Sequence, residues 1–298
     1  MNAVTPAARV GKVPAARLPI NAMSVDVEDY FQVQAFAGIV SPKDWDGYAS
    51  RVEANTDRIL AQFAAAGAHG TFFTLGWVAE RHPALIRRIV DGGHELASHG
   101  YGHQPVYSLG ESEFRDDVAR ARDILEQAGG VPVRGYRAPT FSMGKRTPWA
   151  HAVLGETGHT YSSSTFPIHH DLYGDPDGPR FPYQVPGLDL WELPMSTVRL
   201  GERNFPCSGG GYFRLLPYAL FRRGLRRINA TDGRSGIFYF HPWEVDPSQP
   251  RMAGASRLAK FRHYLNLAAM TPRLDRLLRD FAWDRIDHVF AHLLPGPR

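Results

Sequence analysis

Apolar residues along this chain alternate between two spacings, which predicts a protein built from parallel βα units. Short apolar runs at 20–26 and 71–75 have the length and composition of buried strands. Between them, Val52, Ile59 and Phe63 recur at helical spacing, and Gly67 follows as a stop signal. The same alternation predicts further strands at 94–99, 133–137 and 236–241.

Residues that open, cap or end helices mark the intervening segments. Pro83 opens a helix that Gly92 ends. Ser108 and Glu111 have the spacing of a capping box ahead of a helix that closes at Gly129. Helical patterns also cover 216–229 and most of 255–281. Residues 158–206 are rich in Pro, Gly and Asp, and we expect an elaborated loop region with short strands there.

Length and composition suit one globular catalytic domain. The chain has 298 residues, of which 43% are hydrophobic and 21% charged. We expect residues 1–17 to be disordered and residues 18–298 to form the domain, with a C-terminal helical extension at 246–298. The N-terminus lacks a continuous apolar signal core, and the sequence lacks a run of 18 apolar residues. These features predict no membrane span and a cytoplasmic protein.

Charge and cysteine content narrow the chemistry. The net charge of +4 is small and the basic residues are scattered, which argues against a nucleic-acid partner. Cys207 is the single cysteine, so neither a disulfide framework nor a cysteine-based metal cluster is possible. A metal site in this chain therefore needs histidine and carboxylate ligands.

Polar side chains follow four of the predicted strands. The first strand runs into Asp26, Glu28 and Asp29, and the third runs into the pair His99 and His103. The fourth ends at Arg137 and the last at His241. Because the carboxyl ends of parallel strands share one rim, we expect these groups to form a single site. Imidazole and carboxylate together suit a divalent cation of the zinc type.

Five motifs follow one another along the chain: Asp26 to Asp29, His99-x₃-His103, Arg137-Ala-Pro139, Trp191-Glu192-Leu193-Pro194 and Phe240-His241-Pro242. In this order they resemble the motifs of the polysaccharide deacetylase (NodB homology) family, carbohydrate esterase family four. The resemblance covers roughly residues 20 to 245. Segments such as D-V-E-D-Y-F and F-H-P-W-E are similar to the subgroup encoded beside exosortase and exopolysaccharide loci.

The resemblance implies an α/β fold, the distorted, incomplete (β/α) barrel of this family, with a zinc ion or a similar metal such as Co or Ni. It implies that Asp26 is the general base that activates water and that Arg137 pairs with it. His241 would be the general acid that protonates the leaving amine. Amide hydrolysis needs these parts: an activated water, a sink for the oxyanion and a proton for nitrogen.

Several assignments stay open at this level. Strand alternation puts Asp26 and Glu28 on one face, whereas an immediate turn would favour Asp29 as the carboxylate ligand. The Trp191 motif departs from the family pattern, which leaves its support for the base's partner undecided. The backbone N–H of Thr140 is a candidate oxyanion donor. Candidate substrate contacts are His170, Asp171, Trp191, Tyr212 and Trp243.

We therefore expect a metal-dependent hydrolase that removes N-acetyl groups from an amino-sugar glycan or a lipid-linked oligosaccharide, in exopolysaccharide synthesis. Two alternatives remain. One is an amidohydrolase acting on a small cyclic amide or a formylated sugar-lipid. The other is an inactive glycan-binding module, against which the joint presence of Asp26, Arg137 and His241 argues.

Overall fold

The strands and helices that alternate along the sequence form one curled sheet with helices outside it. The structure is a computed structural model that describes residues 18–171 and 173–295, so the predicted disordered segment 1–17 lies outside the described residues. The first five strands lie side by side and parallel. They are β1 (Asn21–Val27), β2 (Thr71–Thr74), β3 (Glu95–Ser98), β4 (Gly135–Tyr136) and β5 (Tyr161–Ser162).

Later strands extend both edges of this sheet. β6 (Tyr183–Gln184) is antiparallel to β7 (Trp191–Glu192), and β7 pairs with β5. β8 (Thr197–Leu200) and β9 (Arg203–Pro206) form a separate hairpin. β10 (Ile237–Phe240) and the short β11 (Trp283–Asp284) both pair with β1.

Ten α-helices are found in the described part of the chain. Those before the loop region are α1 (Val52–Ala66), α2 (Gly76–Arg81), α3 (Pro83–Asp91), α4 (Glu111–Gly129) and α5 (Ala150–Glu156). Those after it are α6 (Gly210–Leu215), α7 (Tyr218–Ala230), α8 (Arg257–Tyr264), α9 (Met270–Asp280) and α10 (Ile286–Val289).

The apolar stripes read from the sequence are the faces that the helices bury. Ile59 and Phe63 of α1 are fully buried, as are Phe114 and Val118 of α4. Burial of such side chains contributes roughly 1.5–3 kcal/mol each, which fixes the helices on the sheet. The sheet is thereby covered on its outer side.

The expected incomplete barrel is confirmed. The sheet runs in the order β10-β1-β2-β3-β4-β5-β7-β6, and β6 does not pair with β10 within the described residues, so the sheet curls without closing. The domain is single. Each of β1, β3, β4 and β10 ends directly before a predicted site residue, and these ends share one rim.

Some local predictions were wrong. The capping box is displaced by two residues: Glu113 accepts from the backbone N–H of Gly110 at 2.8 Å, whereas the hydroxyl of Ser108 donates to the carbonyl of Pro105. Ser108 lies in a short 3-10 turn, so its side chain cannot reach the helix. Helices α2, α5, α6 and α10 and strand β11 were not predicted, because each is short.

The described residues contain no helix that is both long and apolar enough to cross a bilayer.

Candidate metal and catalytic site

Three buried side chains from two strand ends converge at the rim. Glu28 follows β1, and His99 and His103 follow β3. One ligand atom from each lies within 4.8 Å of the others. Two imidazoles and one carboxylate form the donor set that zinc and similar divalent cations prefer.

The detailed contacts of this group fit a cation. Oε2 of Glu28 is buried and has no hydrogen-bond partner, although Nε2 of His103 is only 2.7 Å away. A buried carboxylate oxygen without a hydrogen bond is costly unless a positive charge compensates it. Glu28, His99 and His103 therefore have the composition and the spacing to hold a metal ion.

The tautomer of His99 is set by the backbone. Its Nδ1 lies 2.7 Å from the carbonyl oxygen of Arg137, and a carbonyl can only accept, so Nδ1 carries the proton. Nε2 then has a free lone pair. Burial lowers the pKa of His99 to about 4, which keeps the ring neutral, as a ligand must be.

The turn between the two histidines depends on backbone conformations that few residues adopt. Gly100 has φ 73°, and a side chain there would meet Oδ2 of Asp117 at 2.7 Å. Asp117 accepts from the N–H of Tyr101 at 3.0 Å, which fixes the turn. His103 itself has φ 53°, an uncommon conformation for a non-glycine residue and one that clusters at functional sites.

The geometry favours Glu28 over Asp29, the two carboxylates that the sequence left open. Oδ2 of Asp29 accepts from the backbone N–H groups of Arg51 and Val52 at 2.7 and 3.1 Å and from the hydroxyl of Ser50 at 2.8 Å. Asp29 thus neutralises the N-terminus of α1. Asp29 is not one of the three grouped residues, and its place among the candidate ligands stays a prediction.

Asp26 is held by a buried arginine. Nη1 of Arg137 lies 2.6 Å from Oδ1 of Asp26 and 2.8 Å from the hydroxyl of Ser24. The remaining donors of Arg137 reach the carbonyl and the hydroxyl of Ser163, each at 3.0 Å. This bonding orients one edge of the guanidinium toward the carboxylate.

Glu192 supports this arginine indirectly. Its Oε1 accepts from the backbone N–H groups of Ser164 and Thr165 at 2.8 and 2.9 Å, and His151 lies 3.1 Å from its other oxygen. Glu192 therefore fixes the segment whose Ser163 holds Arg137. The motif Trp191-Glu192-Leu193-Pro194 therefore supports Arg137 through backbone contacts and not by touching its guanidinium.

His241 lies beside the carboxylate of Glu28. Its Nε2 is 3.7 Å from Oε1 of Glu28, and its Nδ1 is 3.0 Å from Oε2 of Glu244. Burial alone would lower the pKa of His241, but the charge of Glu28 and the hydrogen bond to Glu244 outweigh it and raise the pKa to about 9. The ring is thus protonated at neutral pH, and one-fifth of its side chain remains exposed.

A fully buried arginine completes this side of the site. Nε of Arg214 lies 2.8 Å from Oε1 of Glu244, and its other nitrogens donate to the carbonyls of Arg262 and His263. Burial would raise the pKa of Glu244, but the charge of Arg214 and the bond to His241 lower it to about 2. Glu244 therefore stays ionised beside His241.

Trp243, which the sequence suggested as a sugar-stacking residue, is buried among other rings. Its ring stacks on His241 at 5.1 Å and on His263 at 4.1 Å, and only 6% of the residue is exposed. Its indole N–H donates to Oε1 of Glu28 at 3.1 Å. Trp243 thus supports Glu28, and its role as a substrate contact stays a prediction.

The other predicted substrate residues lie around the rim or away from it. Tyr212 is half-buried beside His170, which stacks on Tyr173 at 3.9 Å. Asp171 is paired with Arg262 at 3.0 Å. Thr140, in the turn that follows Arg137, has φ 57°. Trp191 packs against the interior apolar cluster, and no contact in the described residues supports a sugar-binding role.

Sequence reasoning missed Glu244, Arg214 and Ser163. The signal for Glu244 was present in the F-H-P-W-E segment and in the glycines at 209–211, since a side chain at Gly210 would overlap the carboxylate of Glu244. Arg214 and Ser163 carry no comparable local signal.

Two family profiles match the chain. Residues 45–161 match the family described as "Polysaccharide deacetylase" and residues 163–291 match a "Domain of unknown function (DUF3473)". Over 84 residues the chain is 31% identical to a peptidoglycan-N-acetylglucosamine deacetylase of Bacillus cereus, covering 28% of this chain and 30% of the relative. The polysaccharide deacetylase (NodB homology) family is thereby supported.

Two more relatives support this family. The peptidoglycan deacetylase of Helicobacter pylori is 26% identical over 157 residues, covering 53% of this chain and 49% of its own. The chitooligosaccharide deacetylase of Sinorhizobium fredii is 34% identical over 85 residues, covering 28% of this chain and 40% of the relative. The matched parts therefore span half or less of the length of these relatives.

A solved structure matches over the whole chain. It is a provisionally assigned polysaccharide deacetylase from Mycobacterium smegmatis, with a TM-score of 0.62 and 23% identity over 99% of both chains. At this identity the likeness shows the fold, which agrees with the curled sheet described above.

Proposed function

We propose that this chain is a metal-dependent hydrolase that removes N-acetyl groups from an amino-sugar glycan. The observation that carries the proposal is the arrangement of Asp26 and His241 around the group of Glu28, His99 and His103. The deacetylase relatives support the reaction class.

The chain's own groups provide a base and an acid for amide hydrolysis. The carboxylate of Asp26, oriented by Arg137, accepts a proton from the water that attacks the acetyl carbonyl carbon. The C–N bond then breaks, and protonated His241 donates its proton to the departing nitrogen, so the products are acetate and a free amine. A divalent cation held by Glu28, His99 and His103 would supply Lewis acidity for this step.

The surroundings of the site favour a glycan over a small cyclic amide. A cavity of about 360 Å³ adjoins Phe141, whose ring lies 5.9 Å from the guanidinium of Arg137. It is lined by aromatic and charged side chains, as a sugar-binding groove would be. They include Tyr107, Lys145, Tyr173 and Asp177.

The finer assignments rest on the sequence motifs. We propose zinc as the cation, with Co or Ni as alternatives, and a role in exopolysaccharide synthesis in the exosortase-associated subgroup. A lipid-linked oligosaccharide as the substrate and a cytoplasmic site of action stay predictions. Cell fractionation and acetate release from isolated lipid-linked glycans would test them.

Activity assays on variants test the proposal. Asp26→Asn and His241→Ala are each expected to lower kcat for acetate release from an N-acetylated chito-oligosaccharide by roughly two to four orders of magnitude. Thermal midpoints and bound metal, measured by elemental analysis, should change little. Asp91→Asn is a matched control, because it makes the same chemical change at an exposed residue at the end of α3, outside the reacting groups and the cavity. Normal turnover by either variant of the acid–base pair would remove the proposed mechanism.

A further inference from the structure

Helix α8 has an outward face that is both apolar and basic. Leu258 and Phe261 lie one turn apart and expose 53% and 54% of their surface. Arg257 and Lys260 are exposed on the same short helix. Scattered exposed apolar residues are ordinary, but an adjacent pair between cations indicates an interaction surface.

Another exposed apolar residue of the same chain lies close to α8. Ile39 is 41% exposed, and a methyl group built on Gly254 would lie 3.6 Å from it. Phe36, from the same segment as Ile39, packs 4.7 Å from His263 on the inner side of α8. Ile39 therefore lies beside the segment that leads into α8.

Along the sequence, the charged residues in and around α8 are all basic. Residues 247–274 contain no Asp or Glu, and their basic residues are Arg251, Arg257, Lys260, Arg262 and Arg273. Arg262 is neutralised by Asp171. Arg257 and Lys260 form no ion pair with any residue that the structure describes, so their charges are available to a partner.

We propose that this face of α8 docks the protein on an anionic lipid surface. An amphipathic helix binds in the plane of a bilayer by burying apolar side chains while its basic residues contact anionic headgroups. The apolar pair and the free cations of α8 match these two requirements. A soluble acidic polymer would satisfy Arg257 and Lys260 but would leave Leu258 and Phe261 in water.

The inner side of α8 packs against a residue that contacts the candidate site. His263 stacks on Trp243 at 4.1 Å, and Trp243 donates to Glu28. Docking would thus bring the site next to the membrane, where a lipid-linked glycan presents its sugars. Only this consequence rests on the proposed function, because docking requires no catalysis.

Vesicle co-sedimentation with the full chain tests the proposal. The probes are vesicles of phosphatidylglycerol and phosphatidylcholine in equal amounts, and vesicles of phosphatidylcholine alone. Wild type should bind the anionic vesicles more tightly, and added salt should weaken that binding. Leu258→Glu combined with Phe261→Glu should weaken it about tenfold or more.

A matched control exists on the hairpin of β8 and β9. Leu200 and Phe205 are 52% and 46% exposed, so Leu200→Glu with Phe205→Glu makes the same chemical change elsewhere and should leave binding intact. Acetate release from a soluble chito-oligosaccharide should be the same in both double variants, which separates docking from catalysis.

Three results would overturn the docking proposal. The first is equal binding of wild type to both kinds of vesicle. The second is a loss of binding in the hairpin variant with none in the α8 variant. The third is a loss of vesicle binding in the double variant Arg257→Gln with Lys260→Gln, while the double variant Leu258→Glu with Phe261→Glu still binds. That result would assign the face to an acidic polymer.

Discussion

His99 donates its Nδ1 proton to the carbonyl oxygen of Arg137 across 2.7 Å. The guanidinium of the same Arg137 lies 2.6 Å from Asp26. One residue therefore positions a candidate metal ligand with its backbone and the candidate base with its side chain. A substitution of Arg137 removes the second contact but leaves the first in place, so the two effects can be separated.

Arg137→Lys tests this separation. A lysine ammonium cannot reproduce the guanidinium contacts to Asp26, Ser24 and Ser163, so the carboxylate loses its orientation. We expect kcat to fall about 100-fold, the scale of a misplaced catalytic group, with cation affinity almost unchanged. Steady-state kinetics and calorimetric titration with zinc measure the two quantities. A parallel loss of zinc binding would show that the side chain also organises His99.

The two adjacent carboxylates should have different roles in solution. Glu28→Gln should weaken binding of a divalent cation by more than the roughly 10- to 100-fold typical of losing a residue that only supports a ligand. Asp29→Ala should keep that affinity but destabilise the fold by about 1–2 kcal/mol, because it removes the cap of α1. Calorimetry and chemical denaturation separate the two effects, and the reverse pattern would make Asp29 the ligand.

Removing the charge of Glu244 should move the alkaline limit of activity. The acid must be protonated to act, and the carboxylates of Glu28 and Glu244 raise the pKa of His241 to about 9. A cation bound by Glu28 would offset the effect of the Glu28 charge on the pKa of His241. Glu244 therefore remains the group that raises this pKa. In Glu244→Gln the alkaline limb of kcat/KM should therefore shift to lower pH.

Glu244→Gln also leaves the buried charge of Arg214 unpaired, which destabilises the fold. The double variant Glu244→Gln with Arg214→Met removes both charges and serves as the control. The shift of the pH profile should persist in it. An unchanged alkaline limb in both variants would contradict a role for Glu244 in positioning and charging His241.

Acid should destabilise the fold through buried neutral histidines. Burial lowers the pKa of His159 and of His263 from 6.5 to about 3. Since each folded pKa lies below the unfolded one, the unfolded chain binds protons first as the pH falls. The stabilising contribution is therefore complete above pH 6.5 and is lost toward pH 3, at up to about 1.4 kcal/mol per pH unit for each proton.

His159→Phe should flatten this dependence. Phenylalanine keeps a flat aromatic ring at this buried position, whereas the titrating group and its contact with Thr157 are lost. Denaturant unfolding between pH 7 and pH 4 should show a smaller decrease in the free energy of unfolding for the variant than for wild type. Parallel curves would mean that His159 is already neutral in the unfolded chain or protonated in the folded one.

The sequence by itself determined the strand ends and the residue types placed there. Asp26 lies in the last part of β1, and His99, Arg137 and His241 directly follow their strands, because buried apolar runs and their polar ends are local properties of a chain. The helical spacing in α1 and α4 was equally readable. The incomplete barrel followed from this order together with the family resemblance.

Only the tertiary structure decided between neighbours and assigned the supporting residues. Glu28 and Asp29 are adjacent and chemically alike, and what separates them is that the N-terminus of α1 meets one and His103 meets the other. Arg214 and Glu244 are thirty residues apart and join only when α6 packs beside β10. Sequence spacing carries no information on such contacts, because they depend on how distant segments fill the same buried space.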